Sequence, residues 1–166
     1  MVGVPRPVFT SGGSGNQGLM ISIPILCMAD QYDANELETL QALIVANSVN
    51  LYFKAFMGEV SDICGGISAG AGTAAGISWL LERDLTVIKH AINTVVASLY
   101  GMICDGAKAS CSLKGATSSV EAINAAWMAA NGFSIPEGEG VIRKDLPQTL
   151  RSLSSDNDRT CKFIGL

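Results

Sequence analysis

The stretch from Ile63 to Leu81 restricts the fold more than any other part of the chain. It carries no charge and is punctuated by Gly65, Gly66, Gly70, Gly72 and Gly76, with alanine and serine between them. A membrane-spanning helix needs about 20 predominantly apolar residues, and this segment approaches that length. It has few large aliphatic side chains, however, so the expectation is a buried helix, or a pair of short ones, whose neighbours come close to its backbone. Composition agrees: hydrophobic residues make up 48% of the 166 residues, aromatics only 6%, and 18 residues are glycine. Close backbone packing must then do the work of bulky side chains.

Charge and cysteine usage narrow the function. A formal net charge of -4 and a pI near 4.9, without a basic run, exclude a nucleic-acid partner, whose phosphates call for clustered lysine and arginine. No Lys/Arg-rich amphipathic segment is present for a membrane surface. The five cysteines are odd in number and match no small disulfide scaffold, so a reducing, cytoplasmic setting is expected. Met1 to Pro7 has no apolar core of a signal peptide.

Along the chain, Thr10 to Gly18 is a loop of small polar residues, followed by the apolar run Leu19 to Met28 with Pro24 inside it. Gly13, Gly15 and Gly18 spell GxGxxG, but a dinucleotide site needs an uninterrupted helix after the glycines, and Pro24 is expected to break or kink one. The loop is read either as a set of free backbone N-H groups for a carboxylate or phosphate or as a plain flexible connection. Asp33-Ala-Asn-Glu36 reads as a capping box opening a helix over Asn35 to Met57, with Leu37, Leu40, Ile44 and Leu51 as its core stripe. Glu82-Arg-Asp84 marks a turn, and Leu85 to Tyr100 has helical spacing up to Gly101. That segment carries the lone histidine, His90, which is read as a surface or satisfied core residue. Ser118-Ser-Val-Glu121 reads as a second capping box, with its helix ending at Asn131-Gly132. Beyond Phe133 the sequence turns polar and irregular, with one short helix near Asp145 to Leu153. Strand signals are nearly absent, so the class is all-α, in a single domain over 1–166 with an irregular tail over 133–166.

Cys64 and Cys104 lie at the edges of predicted helices, and Cys111 follows seven residues after Cys104. The spacing is not CxxC, which excludes zinc-ribbon and thioredoxin motifs. Antiparallel helices between Cys64 and Cys104 would bring the two together. Grouped thiols on small-residue backbone fit a cluster or metal site and equally fit small buried hydrophobes. Cys27, in an apolar run, is expected in the core. Asp105 and Lys108 are weak candidates for a general base, an N-cap or a partner to the thiols.

The strings Ser11-Gly-Gly-Ser-Gly-Asn-Gln-Gly18, Cys64-Gly-Gly-Ile-Ser-Ala-Gly-Ala-Gly72 and Gly101-Met-Ile-Cys-Asp-Gly-Ala-Lys-Ala-Ser-Cys111 resemble the C-terminal portion of the iron-sulfur L-cysteine desulfidases, relatives of the alpha region of bacterial L-serine dehydratases. The resemblance runs from about Thr10 to about Gly132. It implies an all-helical domain carrying a four-iron four-sulfur (4Fe-4S) cluster with one open iron. It also implies β-elimination from L-cysteine or L-serine, giving pyruvate and ammonia, with hydrogen sulfide from cysteine. Carried over, it makes Cys64 and Cys104 the first ligands and Cys111 the third. Ser11, Ser14, Gly15 and Asn16 become the contacts of the amino acid. Cys161 is either a free tail thiol or a removable ligand. Family members extend well upstream of the glycine-rich loop, so a further ligand, the base and part of the pocket are expected outside this chain, which is then inactive alone and prone to self-association. The alternative is a non-catalytic helical module that binds an amino acid or another chain.

Overall fold

The computed structural model describes residues 5–58 and 60–164, with side chains of the last helix described as far as residue 155. Among the described residues the protein is all-α, with no strand and two isolated β-bridges, Ser11 with Ser14 and Ile63 with Ile103. The helices are α1 (Gly15–Gln31), α2 (Glu36–Met57), α3 (Gly65–Leu81), α4 (Leu85–Leu99), α5 (Cys111–Ala130) and α6 (Leu146–Ile164). None is long and apolar enough to cross a membrane among the described residues.

The uncharged stretch forms α3, and it is the centre of the molecule. Every residue from Gly66 to Ser78 is buried, and α1, α2, α4 and α5 all pack against it. A helix without a polar face has to be enclosed in this way. Its glycines permit the enclosure: a methyl placed on Gly72 would lie 2.4 Å from the Ala46 carbonyl oxygen, and one on Gly76 would lie 2.7 Å from that of Ala42. Small residues on α3 meet small residues on α2, so the backbones touch.

That contact reverses the expected orientation of α2. Its buried face is Ala42, Ala46, Asn50, Phe53 and Met57, while Leu37, Leu40, Ile44 and Leu51 are about half exposed or more. Two glycines on α3 leave room for alanines only, which turns the leucine stripe outward. Cys27 is likewise exposed instead of buried. The core face of α1 is already occupied by Ile21, Ile25 and Ala29, four residues apart and aligned on one side.

The expected break at Pro24 does not occur, because α1 continues through it with Pro24 buried. A proline cannot donate to the carbonyl four residues earlier, here that of Met20. The Thr73 hydroxyl of α3 lies 3.0 Å from that carbonyl and 2.8 Å from the Ala69 carbonyl, and so covers the gap. The dinucleotide reading fails for a different reason: among the described residues no strand precedes the glycines.

Two caps differ from expectation. Helix α2 starts two residues later than the Asp33–Glu36 box, with Asn35 and Glu38 bonding reciprocally at 3.0 Å; Asp33 sits in a left-handed turn at φ 50°. Ser118 is no cap, since α5 begins at Cys111 and the buried Ser118 faces α3 beside Gly66 and Gly70. Glu82 to Asp84 is the expected exposed turn, between α3 and α4, and the Asp84 carboxylate in it accepts from the Thr86 N-H at 2.6 Å and caps α4. The tail is more ordered than expected. Asp145 accepts from the Gln148 N-H at 2.8 Å, and α6 brings Leu150 and Leu153 into a core shared with Phe53, Val95, Val96 and Ile142. A second group, Met20, Ile21, Ile25 and Ile77, fills the space between α1 and α3.

Candidate functional site

The α3–α4 hairpin brings the two cysteine segments together. The Cys64 N-H donates to the Met102 carbonyl at 2.8 Å, and the Cys104 N-H donates to the Asp62 carbonyl at 2.6 Å, on either side of the Ile63–Ile103 bridge. Cys64 is the N-cap of α3, its sulfur accepting from the Gly66 N-H at 3.5 Å. Cys111 is the first residue of α5, and its thiol faces the Gly106 carbonyl at 3.7 Å. All three are partly buried free thiols.

They line one cavity of about 460 Å³, together with Gly12, Gly13, Ser14, Asn16 and Gln17 from the glycine-rich loop and the start of α1, Gly65 and Gly66 of α3, and Lys54 and Lys114. The cavity therefore receives the N-terminal ends of α1, α3 and α5, none of which has an acidic residue in its first turn. Helix N-termini carry partial positive charge and unpaired N-H groups. With two lysines added, the space is suited to anions and thiolates.

Beneath the loop, the fully buried Asn50 donates to Ser11 Oγ at 2.9 Å and to Gln17 Oε1 at 3.1 Å. This network fixes the loop to α2. Asn50 Oδ1, Asp62 Oδ2 and Ser118 Oγ are buried without a partner among the described residues, and Asp62 lies between the cavity-lining Ser61 and Ile63. Buried polar atoms are seldom left unpaired.

On the other flank, Lys114 donates to the Ile103 carbonyl at 2.7 Å and to Asp105 Oδ1 at 2.8 Å, and Lys108 pairs with the other carboxylate oxygen. Hydrogen bonds from Lys108 and then Lys114 hold the Asp105 carboxyl well below the usual carboxylate range. The same contact raises the Lys114 ammonium, with the charges of Cys64 and Cys104 adding to it.

Of the residues singled out in sequence, Cys64, Cys104, Cys111, Ser14 and Asn16 converge on this cavity. Ser11 lies under it, while Gly15, Asp105 and Lys108 are not among its lining residues. Asp105 is an exposed ion-pair partner, and so strongly acidic a carboxyl makes a poor proton acceptor. Cys161 carries a side chain outside the described residues. Lys54, Gln17 and Lys114 escaped the sequence reading. Lys114 follows Cys111 by three residues, which places the two on one helical face, a signal that was available; Lys54 reaches the cavity only through the α2–α3 packing.

The donor set suits a soft metal centre, since thiolate sulfur is the preferred ligand of iron-sulfur clusters. A Cβ on Gly65 would lie 2.2 Å from Gln17 Nε2 and one on Gly66 2.7 Å from Ser118 Oγ, so glycine at both positions lets α3 start close against these side chains. No three His, Cys, Asp or Glu side chains among the described residues stand at metal-holding spacing.

The family model for the serine dehydratase alpha chain matches residues 1–165. The chain belongs to the serine dehydratase alpha chain family. Among curated relatives it is similar to a UPF0597 protein of Moorella thermoacetica (41% identical over 150 residues, 90% of this chain and 35% of the relative). It is also similar to UPF0597 proteins of Clostridium perfringens strain ATCC 13124 (42% over 156 residues, 93% and 36%) and of Thermosipho africanus (40% over 164 residues, 98% and 40%). This member of the family thus spans 35 to 40% of the length of those relatives. No solved structure matches it.

Proposed function

We propose that this serine dehydratase alpha chain domain is the cluster-binding and substrate-binding part of an amino-acid lyase acting on L-serine or L-cysteine in the cytoplasm. The observation that carries the reading is the convergence of Cys64, Cys104 and Cys111 with Ser14 and Asn16 on one cavity. The three thiols would hold a 4Fe-4S cluster after a small rearrangement that draws them together. Such a group supplies Lewis acidity at an open iron, which helps a thiol or hydroxyl leave.

The residues of the chain account for orientation. The start of α1 offers the Gly15 and Asn16 N-H groups, which have no intrahelical acceptor, and the Asn16 side chain stands on the cavity wall beside Ser14. An α-carboxylate held there, with Lys54 near it, directs the rest of a small amino acid toward the sulfur-lined wall. Beneath them the buried Asn50–Gln17–Ser11 network holds the loop in place. Among the described residues that line the cavity, the charged groups are Lys54 and Lys114, and none is a carboxylate. We assign the base, and completion of the pocket, to the part of the family architecture outside this chain.

A second reading, a non-catalytic amino-acid-binding helical module, is favoured by the lack of preassembled ligand spacing among the described residues. Both are tested by assaying pyruvate from L-serine and L-cysteine after anaerobic cluster reconstitution. The lyase reading expects no pyruvate from the 166-residue chain and turnover by a full-length relative that loses it when the cysteines matching Cys64 and Cys104 become alanine. Turnover by the short chain contradicts the assignment of the base; an inactive full-length relative favours the second reading.

A further inference from the structure

We infer that Lys114 is a positioning residue: it clamps the Cys104 segment to the start of α5 and so holds Cys104 beside Cys64. The inference rests on the proposed cluster site for its purpose, although the clamp itself is a property of the polypeptide.

Helix α5 gains nothing from a lysine in this position. It begins with no side-chain cap bond and no acidic residue in its first turn, and a cation near a helix N-terminus opposes the helix dipole. Residues that break such a local rule tend to serve a site. The bonds of Lys114 say what it does here. Its ammonium reaches the Ile103 carbonyl at 2.7 Å and Asp105 Oδ1 at 2.8 Å, which are the residues immediately before and after Cys104. Across to the Cys64 segment, the described backbone bonds are Cys104 N-H to the Asp62 carbonyl and Cys64 N-H to the Met102 carbonyl. Beyond it the chain runs exposed from Asp105 to Ser110, with a left-handed turn at Gly106 (φ 95°). Lys108 does not share the task. Its side chain is 45% exposed, its ammonium pairs with Asp105 and it lies outside the cavity, whereas Lys114 is 27% exposed and lines the cavity wall.

Amide hydrogen exchange on the cluster-free chain tests the clamp without any need for activity or metal. Lys114→Met is expected to speed exchange at the Cys104 and Cys64 amides by about tenfold, as loss of a charge-assisted bond releases a local opening. Val95 and Val96 in α4 should be unchanged. Lys114→Arg, which keeps two donors, should restore the wild-type rate. Unchanged exchange at Cys104 in Lys114→Met overturns the inference, as does a uniform acceleration across α3 and α4, which would make Lys114 a general stability residue. Iron retention against a chelator, measured on the same variants, should fall in Lys114→Met and recover in Lys114→Arg. Failure of the wild-type chain to take up iron would instead count against the cluster reading and leave the exchange result to decide the clamp.

Discussion

The Thr73 hydroxyl lies 3.0 Å from the carbonyl of Met20, the acceptor that Pro24 leaves without a helical donor. One hydroxyl on the central helix thereby allows α1 to run unbroken through a proline, and it ties α1 to α3 directly behind the glycine-rich loop. Thr73→Val keeps the shape and removes the donor, leaving a buried carbonyl unpaired. The expected loss is about 1–3 kcal/mol, read by urea denaturation, with Thr73→Ser close to wild type. Equal stability of Thr73→Val and wild type would mean that Met20 needs no donor.

Close approach of α2 and α3 makes a second claim. Gly72→Ala would place a methyl 2.4 Å from the Ala46 carbonyl oxygen, and backbone on both sides leaves nothing flexible to yield. Overpacking of this kind costs about 3 kcal/mol at the upper end of its usual range. Gly101→Ala is the control, with nothing within 4 Å and only its positive φ of 93° to oppose it, worth about 1–2 kcal/mol. Comparable thermal shifts for the two would contradict the account of why α3 is glycine-rich.

Asp84 gives a pH dependence of known sign. Its carboxyl is lowered from the ordinary value of 3.8, first by the Thr86 N-H, then by the Thr86 hydroxyl and the Val87 N-H. A group whose folded-state pKa is depressed stabilises the fold above its unfolded value and loses that contribution as pH falls through the folded one. Asp84→Ala should therefore melt below wild type at pH 7, with the gap closing as pH drops below 3.8. A gap that is the same at pH 7 and pH 2.5 would refute the capping role.

Much of this architecture was legible in the sequence, and what was missed has a common cause. Uncharged small residues over Ile63 to Leu81 foretold a buried helix, and the spacing of Cys64 and Cys104 foretold their meeting through an antiparallel hairpin. Periodicity showed that α2 has an apolar stripe over Leu37, Leu40, Ile44 and Leu51. It does not say which face is buried, and here Gly72 and Gly76 admit only Ala42 and Ala46. Pro24 and Ser118 were misread for the same reason, since Thr73 and the glycines of α3, remote in sequence, decide their roles. Lys54 and Gln17 reach the site through tertiary contact alone.

The most direct test of the central claim is the iron and acid-labile sulfide content of the chain purified without oxygen. The account predicts about four of each per chain, visible as charge-transfer absorbance and abolished in the Cys64→Ala, Cys104→Ala double variant but unaffected by Cys27→Ala. Iron and sulfide retained at wild-type levels in the double variant, or absent from the wild-type chain, would contradict it.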